Sequence, residues 1–399
     1  MNITMLLTEA LTIGITLMAQ TAQSDDDPAL QSSPIIFSPG PQYADNARRW
    51  QGIPGIERAP NGRLWAVWYS GGTGEGPENY VLLVTSADDG KTWSAPVLVI
   101  DPPGNVRAYD PTLWHAPNGQ LWLFWAQCWS PEEHKIWDGR AGVWAITTED
   151  SGIPNPAWST PRRICDGVMM NKPTVLGTGE WLLPAAIWSY EPGFSDRRFE
   201  HNLRSQWGSN VVVSTDNGLT WNKLGGAKVP KSAFDEHMIV ERRDGSLWIL
   251  TRTQYGIGES FSNDRGRTWT EGVPSSLAHP SARFFIRRMK SGILLLVKHG
   301  SLDQRTGRSH LTAFVSDDDG KTWQGGLILD ERDGVSYPDG VEAPDGAIYI
   351  IYDFSRYAER EILMAVFTEQ DILAGAPVTP KSRMRVLVNK AAGPRPEKR

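Results

Sequence analysis

The sequence predicts an all-β fold, a six-bladed β-propeller of four-stranded antiparallel blades around a central channel, and three observations carry that expectation. The stretch Ser86-Ala-Asp88-Asp-Gly90-Lys-Thr92-Trp93 recurs at Ser214 to Trp221, Ser262 to Trp269 and Ser316 to Trp323, always as S-x-D-x-G-x-T-W. Such a box is a self-contained turn: its aspartate can accept from the turn's own amides, its glycine can take a positive φ, and its tryptophan can bury a ring between sheets. A second motif runs out of phase with the first. Turns centred on Gly62, Gly119, Gly179, Gly245, Gly292 and Gly346 each lead into an apolar run, as in Ala-Pro60-Asn-Gly62-Arg-Leu-Trp65. Asn-Gly and Asp-Gly between apolar runs are strong hairpin signals. The glycine-to-glycine spacings of 57, 60, 66, 47 and 54 residues suit units of four short strands repeated around a ring.

Taken in order, the chain opens with an apolar stretch from Met5 to Met18, followed by the small residues Ala19 and Ala22. Residues 1–22 therefore read as a signal peptide and imply a secreted or periplasmic protein, although Glu9 and the missing basic start also fit a disordered leader. The polar residues 23–33 read as a linker, and the propeller is expected over residues 34–380. The β-prone Ile35-Ile36-Phe37 is expected to complete the last blade. Each unit then reads as strand, hairpin turn, strand, variable loop, strand, box, strand. Blade two has a degraded box, Thr148-Glu-Asp150-Ser-Gly152 with Trp158, and blade six has none. Only Gln370 to Ala374 looks helical, and residues 381–399 read as a C-terminal tail.

Composition excludes some functions. A formal charge of −6 is the wrong sign for a nucleic-acid footprint, although a small anion can still be bound where cations gather. No run of 18 or more apolar residues offers a membrane span. Cys128 and Cys165 lie far apart, and no His/Asp/Glu cluster has ligand spacing, so neither metal nor cofactor is expected.

A propeller converges the starts of its innermost strands on one mouth of the channel. The residues at those starts are Gly52, Asp110, Lys172, Asp235 with Glu236, Arg283 and Tyr337, and the ends of the second strands add Tyr190, Arg252, His299 and Arg356. Singly, each arginine suits a solvated face and each tyrosine suits strand packing. Together they make a charged ring where a core would want apolar side chains, which points to a binding site.

From Gln51 to Phe354 these residues resemble the sialidase (neuraminidase) superfamily, whose members carry repeats of the same box. Asp235-Glu236-His-Met-Ile-Val-Glu through Thr251-Arg252 is similar to the sialidase stretch that holds a base glutamate and, one hairpin later, an arginine for the substrate carboxylate. Arg308-Ser-His-Leu-Thr resembles the segment supplying another arginine of a three-arginine clamp, and Ser336-Tyr337-Pro-Asp-Gly340 the segment of the nucleophilic tyrosine. Blade one departs from the pattern. Sialidases begin it with Phe/Tyr-Arg-Ile-Pro, whereas this chain reads Gln51-Gly52-Ile53-Pro54. One arm of the clamp is missing, and Arg48, Arg49, Arg107, Lys172 and Arg283 are the cations that could replace it. The acid/base aspartate has no match either. Its loop offers Glu75 and Glu78, with Asp110 as an outside candidate.

The resemblance implies an exo-acting, retaining glycoside hydrolase acting on a terminal sialic acid or related acidic sugar. Its catalytic group would be Tyr337, Glu236 and Glu75 or Glu78, with Arg252, Arg308, Arg283, Asp110 and Lys172 binding substrate. The chemistry suits the residue types. A carboxylate on the anomeric carbon would repel a carboxylate nucleophile, whereas a neutral tyrosine avoids that repulsion but needs a base in reach. Arginine forks match a carboxylate in two places, as lysine cannot. Two other readings stay open: a polysaccharide lyase using His299, His237 or Tyr337 on a uronate, and a non-catalytic carbohydrate-binding propeller.

Overall fold

The structure, a computed structural model, describes residues 28–129, 142–188 and 201–394. The expected leader, Tyr190 and the last five residues lie outside them. Six antiparallel sheets follow one another in chain order around a channel, and each is laid down from the inside outward, so the molecule is a six-bladed β-propeller. The innermost strands are Gln51–Arg58, Val106–His115, Thr174–Val175, Ser232–Glu241, Phe285–Arg288 and Val335–Glu342.

Central strands are buried on both faces because each blade is sandwiched between its neighbours, which is why they read as unbroken apolar runs. Leu64–Ser70, with the sequence Leu-Trp-Ala-Val-Trp-Tyr-Ser, is buried along its whole length. Outer strands such as Asn222–Ala227 are only partly covered. Aromatic rings fill the wedges between blades: Trp114 and Trp181 meet edge to face with centroids 4.8 Å apart, and Trp122 and Trp221 complete that seam.

The four boxes lie between the third and fourth strands of blades one, three, four and five, at the hairpin end of each blade. In blade one the Ser86 hydroxyl donates to Asp88 at 2.8 Å and accepts the Gly90 amide at 3.0 Å, while Asp88 accepts the Thr92 amide at 2.9 Å. The same bonds close the turns at Ser214, Ser262 and Ser316. They hold the half-buried Asp216, Asp264 and Asp318 carboxyls down at about 2.

Three expectations about the ends are corrected. Ile35–Phe37 does not complete the last blade; it pairs with Leu98–Ile100 as a fifth strand on the outer edge of blade one. Blade six is completed by Arg383–Lys390, which pairs with Glu361–Phe367 where a tail was expected. The strand turns Met384, Val386 and Val388 toward the core and leaves Arg385 and Leu387 exposed, so only one face needs cover, and its composition reads as a tail when the partner strand is not in view. Beyond it the Ala392 and Gly393 amides donate to the carbonyls of Asp45 and Arg48, at 2.7 and 2.9 Å, which ties the two ends of the ring together. The linker expected up to residue 33 is anchored at its end as well, because the Gln127 side chain donates to the carbonyls of Ala29 and Gln31. The short helix is Glu369–Ala374, started by a Thr368–Asp371 capping box and stopped by Gly375 at φ 64°.

Candidate active site

Four innermost strands break their pairing at the same height. Register shifts fall between Gly52 and Gly55, Tyr109 and Thr112, Ser232 and Met238, and Ser336 and Asp339. At each break a non-glycine residue takes a left-handed conformation: Ile53 at φ 59°, Asp110 at 47°, Glu236 at 46° and Tyr337 at 55°. A bulge inserts one residue and re-aims its side chain, and backbone of this kind gathers at functional sites. Here the four bulges turn Ile53, Asp110, Glu236 and Tyr337 into one cavity at the mouth of the channel. Its remaining lining is Tyr69, Glu75, Met170, Trp188, Phe234, Arg252, Arg308 and Arg356.

Tyr337 is the centre of that cavity. Its hydroxyl donates to Glu236 Oε1 at 3.0 Å. Arg252 Nη1 donates to the same carboxylate oxygen at 2.5 Å and to the Tyr337 oxygen at 3.2 Å. The guanidinium carbons of Arg308 and Arg356 lie 5.3 and 5.1 Å from the centre of the Tyr337 ring. Burial, and then the Glu236 charge, raise the tyrosine to about 12, and the three arginines work in the opposite direction. The phenol therefore keeps its proton at neutral pH, with the Glu236 carboxylate within hydrogen-bond reach of it. Asn171 holds the glutamate's bulge in place by donating to the carbonyls of Glu236 and His237.

The cavity's charges do not cancel. Arg252 is paired with Glu236, and Arg356 with Glu75, whose Oε1 accepts from Nη1 at 2.8 Å. Arg308 donates only to the Ser281 carbonyl, at 3.5 Å, and forms no ion pair among the described residues. Asp110 is buried; desolvation, then the neighbouring Glu75 charge, push its carboxyl up to about 8, so it carries a proton through neutrality. One cation is left in surplus, which suits an anionic ligand.

Some of the expected residues are elsewhere. Glu78 is mostly exposed and faces Arg49 across 3.7 Å, so it does not join Glu75 in the cavity. Lys172 lies deeper in the channel, its ammonium bonded to the carbonyls of Ile56 and Leu113 and paired with Glu57 and Asp339. Met170, two residues earlier, takes the place on the cavity wall. Arg283 plugs the channel below the site, donating to Asn171, the Met170 carbonyl and Asp339. Both cations serve to join blades, because a buried charge needs partners and the carbonyls of neighbouring inner strands supply them. The larger cavity, about 530 Å³, opens at the opposite mouth around Glu57, His115, Lys172 and Arg287 and contains none of the Tyr337 constellation.

None of the five cations considered for the missing clamp arm reaches the cavity. Arg48 is spent on Tyr43, Asp45, Gln51 and Asn389, and the Arg107 guanidinium stacks 4.1 Å from the centre of the Tyr109 ring. Arg49 keeps to the outside with Glu78. Instead, the side chain of Arg356 lies across Gly52. A Cβ on Gly52 would stand 2.3 Å from Arg356 Cδ and 3.1 Å from an Asp353 oxygen. Arg356 was visible in the sequence at the end of a second strand, but nothing there pointed it toward blade one. His237 and His299 do not line the cavity. Each is buried, bonded through Nε2 to a backbone carbonyl and depressed by burial, to about 4 and about 3.

Residues 62–350 match the family described as BNR repeat-like domain. A sialidase from Clostridium perfringens is 26% identical over 256 residues; the match covers 54% of this chain and 59% of that relative, so the chain spans less than two thirds of its length. Among solved structures, the Hadza microbial sialidase Hz136 superposes with a TM-score of 0.63 at 18% identity, covering 82% of this chain and 67% of the other. An intramolecular trans-sialidase from Ruminococcus gnavus, solved in complex with oseltamivir carboxylate, does so with a TM-score of 0.61 at 16% identity, covering 87% and 99%. At these identities the likeness to solved structures is one of fold.

Proposed function

The chain belongs to the BNR repeat-like family of the sialidase superfamily, and from that membership we propose that it is an exo-acting, retaining glycoside hydrolase that removes a terminal sialic acid or related acidic sugar. The observation that carries this reading is the hydrogen-bonded group Tyr337–Glu236–Arg252 in a cavity with one cation in excess. Tyr337 attacks the anomeric carbon as it gives its proton to Glu236, and the sugar is held as a tyrosyl glycoside. Water then attacks the same carbon and gives its proton to the Asp110 carboxylate left by the first step, the phenolate leaves and takes its proton back from Glu236, and two inversions retain the configuration. Arg252 and Arg308 face the sugar's carboxylate. The leaving oxygen takes its proton from Asp110, the carboxyl in the wall that is still protonated at neutral pH. Glu75, tied to Arg356, acts as a counter-ion rather than as the acid.

The test is release of a fluorophore from an aryl sialoside. Tyr337→Phe should reduce turnover to background while keeping the fold. Glu236→Gln should lower kcat by about 10² to 10⁴, the range for a lost proton-transfer partner. Wild-type turnover by Tyr337→Phe would remove the nucleophile assignment. A chain that cleaves no sialoside but generates unsaturated uronate from polysaccharides would favour the lyase.

A further inference from the structure

The side chain that lies across Gly52 ends in the cavity, not outside it. Arg356 follows the second strand of blade six, Ile348–Phe354, and its guanidinium arrives beside the Tyr337 ring from the side of blade one. An arginine on the Gly52 backbone would have to start where Arg356 Cδ now lies, so the two positions compete for one volume. Arg356 is largely enclosed, its side chain 12% exposed. Trp50 lies 5.9 Å from its guanidinium carbon, and Asp353 stands 3.9 Å from its Nε. Asp353 is itself committed to the Ile53 amide and the Ser336 hydroxyl, at 2.8 and 2.5 Å. That leaves Glu75 as the only described residue accepting a hydrogen bond from the guanidinium. Glu75 sits in a loop pinned by Asn79, whose amide donates to the carbonyls of Gly71 and Gly74 and accepts from the Gly76 amide.

We propose that Arg356 is a ligand-anion-binding residue of this site: the cation absent from blade one is supplied from blade six, and Gly52 is glycine because it must leave room for it. With Arg252 and Arg308 it surrounds Tyr337 with three guanidiniums, two of them able to turn planar N–H groups toward a carboxylate while the third, Arg252, also serves the tyrosine. Glu75 neutralises Arg356 in the empty site, and an incoming carboxylate competes with it for the guanidinium. This inference rests on the reading above only in taking the ligand to be an acidic sugar.

The test uses N-acetylneuraminic acid and its methyl ester as ligands, with binding measured by calorimetry and the fold checked by thermal melting. Arg356→Gly should weaken binding of the acid by about ten- to a hundred-fold, as for a lost charge-assisted bond, and leave the ester unchanged. Gly52→Arg should weaken binding by crowding Arg356. The double variant Gly52→Arg with Arg356→Gly should bring the acid's affinity back to within a few-fold of wild type. An Arg356→Gly protein that melts like wild type and binds the acid as tightly overturns the proposal, as does an equal loss for acid and ester, which is the mark of a merely structural role. Wild-type protein that binds the acid through Arg356 but cleaves no sialoside leaves this inference standing and removes the hydrolase. Wild-type protein that binds no acid at all removes both.

Discussion

Asp110 shows how a single residue links strain, charge and pH in this molecule. Its backbone is left-handed, its side chain is buried in the cavity, and its carboxyl is raised to about 8 from an ordinary value near 4. Because the folded state holds this proton more tightly than the unfolded chain does, the stability linked to it is fully present below about pH 4 and is lost as pH rises to about 8. Melting temperature should fall across that window in the wild type, and Asp110→Asn should flatten the fall. Parallel curves for the two proteins would show that Asp110 does not hold the proton. The residues that meet in the cavity were legible to different degrees. Glu236, Arg252 and Tyr337 stood out because each is polar at a strand end and falls in a recognisable motif. Of the choices that lie outside the cavity, Lys172 and Arg283 share the same kind of position, and Glu78 shares the loop of Glu75. What separates them is where a side chain points after a bulge or a two-residue offset along the channel, and residue type does not encode that.

At the scale of the element, the box is a turn whose glycine has two separate duties. Gly218 takes φ 82°, and a Cβ there would stand 2.7 Å from Trp122 and 2.9 Å from Trp181. Gly245, in a hairpin turn, takes φ 80° with open space around it. Gly245→Ala should therefore cost only the left-handed penalty, about 1 to 2 kcal/mol. Gly218→Ala should add an overpacking term of about 1 to 3 kcal/mol as the tryptophan seam is forced apart. Thermal or denaturant unfolding of the two variants measures the difference, and equal losses would mean that the seam yields freely. The boxes, although the most visible feature of the sequence, sit at the hairpin end of the blades, away from the cavity. They set blade register; the aspartate that opens each turn is used within the turn itself, while Asp89 and Asp319 pair outward with Arg383 and Arg288.

At the scale of the whole molecule, the ring is closed by its ends. The outer strand of blade six comes from the C-terminal segment, and the residues after it bond to the segment that leads into blade one. Arg360 and Gln51 add side-chain bonds across the same seam, from Arg360 Nη1 to the Arg49 carbonyl at 3.1 Å and from Gln51 Nε2 to the Arg360 carbonyl at 2.8 Å. That seam carries Gly52 and Arg356, so closure and the site are mechanically coupled. A chain stopped after residue 380 should lose several degrees of melting temperature and lose ligand binding with it. Unchanged binding in such a chain would show that the seam is held without its last strand.

The sequence by itself determined the repeat, the number of blades and the chemical cast of the site, because hairpin turns, boxes and alternating burial are local patterns that repeat in phase with the fold. It also carried the one anomaly, a glycine where an arginine was expected. Only the tertiary structure decided what that anomaly means. Arg356 and Gly52 are three hundred residues apart in the chain and become neighbours only when blade six closes on blade one; Glu75 and Arg356 pair across the same seam. A local pattern reports what a segment can form, whereas the volume a side chain fills, and the partner that neutralises it, depend on which other segments are brought beside it.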